Sequence, residues 1–270
     1  MLKDLTLGQF FPGTSPIHRL DPRIKLVLTV LIAILVFFVG TFVGYAILAG
    51  FILAVAVMSK LPLGYLFKGL KPLWLLVVFT FILNTLTTPG ETVWWSWWVL
   101  QLTPDGLYRA IFFALRMLFL VFTTSLLTLT TSPIALTDAM EQLFKPLTII
   151  RFPVHEMSMM MSLALHLIPI LLEETDKIMK AQKARGADFE SGNLFQRARS
   201  LVPLLVPLFL SAFRRAEDLA MAMEARCYRG GEGRTRMKVL RTNPKDWIAV
   251  GCTCVIVALV LADFIWKPLL

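Results

Sequence analysis

Residues 26–58 contain no charged side chain, and this uninterrupted apolar run restricts the chain to a membrane fold. A single helix of that length would extend about 50 Å, whereas the hydrocarbon core of a bilayer is about 30 Å thick. A hairpin at Gly40-Thr41 instead gives two crossings and leaves the flanking basic residues on one side of the membrane. Because basic residues concentrate on the cytoplasmic side, we predict two helices and a cytoplasmic N-terminus.

The charge distribution divides the chain into an apolar part and a polar insert. Apolar residues make up 57% of the 270 positions, which exceeds the roughly 45–50% of soluble domains. The net charge is +9, yet residues 133–246 hold 30 of the 45 charged side chains. Acids and bases alternate there, so the excess of bases is explained by cytoplasmic location and not by nucleic-acid binding.

Three further spans are predicted outside this insert. The third covers residues 72–88, and an outer loop with four tryptophans between residues 94 and 98 follows it, as is typical of a membrane interface. The fourth begins at Thr103-Pro104-Asp105, the pattern of an N-cap, a first-turn proline and an acid, and continues to about residue 131. The fifth covers residues 247–266, with a tryptophan at each end.

We therefore predict an all-α, multi-pass protein of the cell membrane with about five transmembrane helices. Residues 1–132 hold helices 1–4, residues 133–246 form a cytoplasmic helical domain, and residues 247–270 form the last span. Two apolar runs in the insert, residues 157–172 and 201–213, are interrupted by Pro169, Pro203 and Pro207 and are short for spanning. We expect helices on or under the membrane face. A seven-span arrangement that inserts both runs is the alternative.

Two stretches of the insert, residues 176–186 and 217–227, resemble one another position by position. Each begins with an acid and ends in Ala-Arg, so each predicts a helix whose end charges favour its dipole. The residues concerned are Ala184, Arg185 and Gly186 in the first copy and Ala225, Arg226 and Cys227 in the second. Two arginine-tipped helices predict a partner with two equivalent sockets.

The stop signals of the two copies differ. Gly186 suits the left-handed conformation that ends a helix, whereas Cys227 stands at that position in the second copy, where we expect Gly230-Gly231 to provide the stop. Ordinary solvated charges at helix ends are the alternative interpretation of Arg185 and Arg226. Their repetition in the same context favours a function.

These motifs, together with Leu20-Asp21-Pro22-Arg23-Ile24-Lys25 before the first span and Ala184-Arg185-Gly186-Ala187-Asp188, carry a family resemblance. The chain resembles the transmembrane coupling subunit (EcfT, CbiQ-like) of energy-coupling factor (ECF) transporters over nearly its whole length. The resemblance implies that Arg185 and Arg226 dock into two ABC ATPase subunits, where each arginine meets acidic residues. It also implies a partner that binds substrate in the membrane, the S-component, and a vitamin or transition-metal cargo.

Two other sets of residues are candidates for contact with the S-component. Met157, Met160 and Met161 share a helix face, and methionine surfaces adapt to varied partners. Gly40 and Gly44 belong to a row of small residues suited to close helix packing. A methionine-rich core and an internal helix contact, respectively, are the alternatives.

The sequence indicates neither enzyme chemistry nor a cofactor. His18, His155, His166 and the three cysteines show no metal-ligand spacing, and no catalytic set recurs. The glycine-rich residues 230–235 lack the lysine of a phosphate loop. Asn84 and Arg116 are the main intramembrane polar residues, so an ABC permease with its own substrate pathway is the rival function and a membrane-embedded enzyme is a weaker one.

Overall fold

The computed structural model describes residues 10–89, 95–97, 100–187, 189, 193–230 and 242–266. The regular secondary structure within them is helical apart from one hairpin of two short strands. The elements in chain order are α1 (Pro22–Phe38), α2 (Phe42–Met58), α3 (Leu63–Leu70), α4 (Trp74–Thr87), β1 (Trp95–Trp97), β2 (Leu100–Leu102), α5 (Pro104–Thr130), α6 (Pro133–Phe144), a 3-10 helix (Lys145–Ile150), α7 (Val154–Ala184), α8 (Leu194–Ala225) and α9 (Pro244–Trp266). The all-α class is confirmed.

The elements form two compact units. The bundle unit comprises the described residues of the ranges 10–139 and 242–266, and the repeat unit comprises those of the range 140–230. The division falls inside α6, whereas the sequence suggested an insert of residues 133–246. The cytoplasmic location of that insert stays a prediction.

The helix break predicted at Gly40-Thr41 in the first apolar run is present, while the two membrane crossings stay a prediction. Helix α1 ends at Phe38 and α2 begins at Phe42, and the hydroxyl of Thr41 caps α2 by accepting a hydrogen bond from the backbone N–H of Gly44 at 3.1 Å. The predicted cap of the fourth span is also present, because the Thr103 hydroxyl accepts from Gly106 N–H at 3.1 Å. Strand β1 includes Trp95 and Trp97, while Trp94 and Trp98 lie outside the described residues.

Helices α1, α2, α5 and α9 surround the core of the bundle unit. Val36, Leu48, Leu129 and Val260 are among its most completely buried side chains. The ring of Tyr45 on α2 stacks on that of Phe119 on α5, with centroids 5.5 Å apart. Aromatic contacts of this kind add directional packing to the burial of apolar area.

Polar contacts join three of these helices at the beginning of α1. The fully buried carboxylate of Asp246, at the start of α9, accepts hydrogen bonds from the backbone N–H groups of Asp21 at 3.0 Å and Asn243 at 2.6 Å. The Lys25 ammonium donates to the Thr130 carbonyl at the end of α5, at 3.1 Å. These contacts satisfy helix-terminal groups that would otherwise be unpaired in an apolar surrounding.

A second polar contact lies where α1 gives way to α2. Arg116 on α5 donates to the carbonyl of Phe37 at 3.4 Å, and its guanidinium lies over the rings of Phe37 and Phe113. The hydroxyl of Thr41 donates to the carboxylate of Asp263 on α9. A cation therefore meets the C-terminal end of α1 and an anion meets the N-terminal end of α2, as the helix dipoles favour. These contacts give Arg116 a structural role.

One expectation about the helices needs correction, and one helix was not predicted. Pro169 lies inside α7, and Pro203 and Pro207 lie inside α8, so the prolines do not interrupt these helices of 31 and 32 residues. A proline removes one backbone hydrogen bond and bends a helix, and the turns on both sides are long enough to continue it. Helix α3 has no counterpart among the predicted elements.

Three helices in the described part of the chain are long and apolar enough to span a membrane: α5, α7 and α9. Helices α2 and α4 are apolar but shorter. In α7 an apolar segment and a charged segment form one continuous helix. Length and composition alone do not show whether this helix crosses the membrane. The placement of α7 on the cytoplasmic side therefore stays a prediction.

Candidate functional site

The two sequence repeats form the ends of α7 and α8. Helix α7 ends at Ala184 and α8 ends at Ala225, which are equivalent positions of the two copies. We call residues 184–186 the first tip and residues 225–227 the second tip. All six residues of the two tips are exposed.

Both tips end in the same pattern of backbone hydrogen bonds. At the first tip, Gly186 N–H donates to Lys183 C=O and Ala187 N–H donates to Gln182 C=O, each at 3.0 Å. At the second, Cys227 N–H donates to Glu224 C=O at 2.8 Å and Tyr228 N–H donates to Met223 C=O at 3.0 Å. This is the Schellman arrangement. It puts each arginine at the C-cap position, followed by a left-handed residue.

The left-handed residues are Gly186, with φ of 86°, and Cys227, with φ of 55°. The expectation that the second helix stops only at Gly230-Gly231 is therefore wrong. Two bonds to carbonyls of the last turn hold Cys227 in a conformation that L-residues normally avoid. The tight turn survives the replacement of glycine.

Helices α7 and α8 contact one another through a polar cluster. The carboxylate of Glu174 accepts from the guanidinium of Arg215 at 3.1 Å and from the hydroxyl of Ser211. Glu174 and Arg215 are equivalent in the repeat, because they are separated by the same number of positions as Arg185 and Arg226. Each tip arginine therefore follows its partner in this contact by the same length of helix, about 16 Å.

The two helices run in opposite directions past this contact. Glu174 lies beside Arg215, while Glu156, near the start of α7, lies 3.9 Å from the position that a Cβ atom would take at Gly230. The start of α7 thus lies near the segment that follows α8, as expected for an antiparallel pair. The tips therefore extend to opposite sides of the Glu174–Arg215 contact.

The helix segments that lead to the two tips carry opposite charge. Between the contact and the first tip, residues 175–186 include four bases and one acid, whereas residues 216–227 include three acids and one base. The arginine is the common feature. The surroundings of the two guanidinium groups are different.

The candidate S-component residues lie in separate units. Met157, Met160 and Met161 are exposed on α7 of the repeat unit. Gly44 is buried in the bundle unit, where a Cβ atom would lie 2.9 Å from Val39 and 3.2 Å from Asp263. Internal packing accounts for Gly44. Gly40 lies in the break between α1 and α2.

One polar set escaped the sequence interpretation. Glu141 on α6 lies 3.0 Å from Nδ1 of His155, and it accepts from the Ser158 hydroxyl at 2.5 Å. Serine and histidine thus share one carboxylate, whereas nucleophilic catalysis needs the serine to donate to the histidine. The set joins α6 to α7. Its members are 14 and 17 residues from Glu141, so no local spacing reveals it.

The sequence also raised a metal site and a phosphate loop as possibilities. No group of three or more His, Cys, Asp or Glu side chains suitable for a metal ion occurs in the described part of the chain. The glycine-rich loop after Gly230 and Asp188 of the first motif lie outside the described residues. Both the sequence repeat and the backbone hydrogen bonds therefore mark the two tips as the candidate site.

Comparison with known proteins agrees with the resemblance noted from the motifs. The profile of the family described as "Cobalt transport protein" (CbiQ) matches residues 13–239. A protein of Thermosediminibacter oceani is 54% identical, over 98% of this chain and 100% of its own length. One from Clostridium kluyveri is 53% identical (98% and 99%), and one from Bacillus subtilis is 48% identical (97% and 96%). Each is named energy-coupling factor transporter transmembrane protein EcfT. With matches of this extent, the chain belongs to the CbiQ family of membrane transport proteins.

Proposed function

We propose that this chain is the coupling subunit of an energy-coupling factor transporter, with one ABC ATPase docked on each tip. The observation that carries the proposal is the shared backbone hydrogen-bond pattern of the two tips. Each ends in a Schellman turn with an exposed arginine, at the same helical distance from the Glu174–Arg215 contact. Two like ends suit a partner made of two like halves.

The chemistry of the tips fits carboxylate recognition. A guanidinium offers five donors in a fixed fork, which matches a carboxylate in two parallel hydrogen bonds. The alanine before each arginine leaves room for a partner surface to approach the helix end. We infer that each ATPase presents an acidic residue within a groove that receives the tip.

Because the two segments carry opposite charge, each tip should prefer a different partner surface. The first tip favours an acidic rim around its groove, and the second favours a more basic rim. Two ATPases that differ in this way would each select one tip. Two identical ATPases would bind both.

The coupling step follows from the antiparallel arrangement. Movement of the two ATPases on ATP binding displaces the tips, and α7 and α8 pass that displacement to the rest of the repeat unit. The exposed face of Met157, Met160 and Met161 is our candidate for contact with the S-component, whose cargo is a vitamin or a transition-metal ion. Transmission requires that this interface have more than one packing state.

The bundle unit does not favour the permease alternative. Five of its charged residues contact neighbouring helices or helix ends, as structural residues do: Asp21, Lys25, Arg116, Asp246 and Asp263. The relatives are transporter components, which favours a role without catalysis of its own.

The test is charge reversal at both tips. Arg185→Glu with Arg226→Glu should leave the protein in the membrane but remove the ATPases on purification, because each reversal places an anion against a carboxylate. Loss of one partner in such a pair typically costs about 2–5 kcal/mol of binding. The matched control is Arg199→Glu with Arg214→Glu, two exposed arginines of α8, which should retain the ATPases. A full complement of ATPase on the tip variant would contradict the proposal.

A further inference from the structure

The turn between α6 and α7 exposes an unusual amount of apolar surface. We call residues 144–152 the apolar turn. Ile149 and Ile150 are 86% and 80% exposed, and three further apolar side chains of the turn are also exposed: Phe144, Leu147 and Phe152. Side chains of this size are costly to leave in water, so a surface that covers them is expected.

The backbone holds the two isoleucines at the apex. The 3-10 helix Lys145–Ile150 ends at Arg151, whose φ of 61° is left-handed and whose N–H donates to the Thr148 carbonyl at 3.0 Å. The Thr148 hydroxyl donates to the Lys145 carbonyl at 2.7 Å. These bonds close the turn, so the exposure follows from its geometry.

The base of the turn is fixed as well. Glu141 on α6 contacts His155 and Ser158 in the first turns of α7, and Val154 is buried. The turn is thus held on both sides. A side chain presented from a fixed base loses less conformational freedom on binding.

The charge around the turn identifies the covering surface. Lys145 and Arg151 flank the isoleucines and are exposed. The nearest acids along the chain lie outside the turn: Glu141 contacts His155 and Ser158, and Glu156 lies in the first turn of α7. An apolar apex with cations beside it is the pattern of a segment that enters the boundary between headgroups and acyl chains of an anionic leaflet. A protein groove would need acidic groups at two fixed positions, whereas anionic phospholipids present a phosphate wherever the turn meets the headgroups.

We propose that the apolar turn is a lipid anchor, in which Ile149 and Ile150 enter the acyl boundary and Lys145 and Arg151 contact anionic headgroups. The anchor fixes α7 at its start, at the opposite end of that helix from the first tip and on the side toward which the second tip extends. It does not depend on ATPase docking. Failure of the tip experiment would leave it standing.

The test places a fluorescent probe at the apex. Full-length protein with Cys227→Gly, Cys252→Ala, Cys254→Ala and Ile150→Cys is labelled with an environment-sensitive fluorophore. It is then reconstituted in vesicles of phosphatidylcholine containing phosphatidylglycerol and a lipid spin-labelled near the headgroup. Matched proteins carry the probe at Lys180, exposed on the charged part of α7, or at Val255, exposed on α9.

We expect the probe at position 150 to be blue-shifted, as at position 255, and to be quenched by the spin-labelled lipid, while the probe at 180 is neither. Emission and quenching at 150 like those at 180 would overturn the anchor. A blue shift without lipid quenching would overturn it in favour of a protein contact.

The cations give a second arm. Lys145→Gln with Arg151→Gln should reduce the ratio of inserted to free turn about fivefold per cation, in anionic vesicles only. Equal quenching in vesicles with and without phosphatidylglycerol would overturn the proposed preference for anionic lipid.

Discussion

Glu174 and Arg215 form an ion pair at 3.1 Å between α7 and α8, and they occupy equivalent positions in the sequence repeat. The repeat is therefore visible both in the two helix ends and in the contact between the helices. The hydroxyl of Ser211 completes the cluster by donating to the same carboxylate. We expect this contact to set the spacing of the two tips.

Removal of the Glu174 carboxylate should loosen that spacing. In Glu174→Gln, we expect a broader distance distribution between spin labels at the equivalent exposed positions 183 and 224, because the charge-assisted bonds to Ser211 and Arg215 are weakened. A double-mutant cycle with Arg215→Gln should give a coupling of about 0.2–1 kcal/mol in the free energy of unfolding, as for partly exposed pairs. Glu173→Gln, the exposed neighbour, is the control. An unchanged distribution in Glu174→Gln would contradict this role.

The same spacing should depend on pH in the acid range. The pKa of Glu174 lies below its ordinary value of 4.5 because the Ser211 hydroxyl donates to the carboxylate and Arg215 adds its charge, which together outweigh desolvation. A carboxylate of this kind stabilises the fold above its unfolded pKa and loses that contribution as pH falls through its lower folded pKa. The label distance should stay constant above about pH 5 and broaden on acidification. The Glu174→Gln protein should lack that change.

Cys227→Gly should stabilise the second tip. Cys227 has a left-handed φ of 55°, which glycine adopts without strain. The gain should be roughly 1 kcal/mol in the free energy of helix-end opening, measured by hydrogen exchange of the Cys227 and Tyr228 amides. Gly186→Ala is the reciprocal variant and should destabilise the first tip by a similar amount. Faster exchange in Cys227→Gly would show that the turn is not strained.

Asp246→Ala should destabilise the bundle unit strongly. The substitution leaves the backbone N–H groups of Asp21 and Asn243 without their acceptor, at about 1–3 kcal/mol for each buried group. Thermal unfolding of the purified protein in detergent measures the loss. Asp105→Ala, an exposed first-turn acid of α5, should cost only about 0.3–1 kcal/mol. Equal effects of the two changes would argue against the interpretation of the contact.

Arg116→Gln should destabilise the break between α1 and α2. It removes the guanidinium from the Phe37 carbonyl and from the rings of Phe37 and Phe113, and the expected loss is about 1–3 kcal/mol in detergent unfolding. Arg109→Gln changes an exposed arginine two turns earlier on the same helix and should alter stability by less than about 0.5 kcal/mol. A transport defect without loss of stability in Arg116→Gln would instead indicate a functional charge.

Local signals allow much of this fold to be predicted. The length of the uncharged run 26–58 and the charges that flank it predict the helix break at Gly40-Thr41, which the structure confirms. The cap pattern at Thr103 predicts a helix start that is also present, because caps depend on residues only a few positions apart. The arginine tips are predictable for the same reason. The repeat places them at equal distances from any pair of equivalent positions.

The errors and omissions have a different origin. Asp246 and Asp263 find their partners 225 and 222 residues away, which no local spacing reveals. The prolines of α7 and α8 indicate breaks by their local preference, which longer helices override. The residue type of Cys227 suggests no helix stop, although the hydrogen bonds of the last turn determine its conformation.

The equal lengths of helix on either side of the Glu174–Arg215 contact have a mechanical consequence. If α7 and α8 turn together about that point as a stiff body, both arginines sweep equal arcs in opposite senses. With arms of about 16 Å, a rotation of about 10° displaces each guanidinium by about 3 Å. A displacement of one tip by that distance would therefore move the other tip by the same distance.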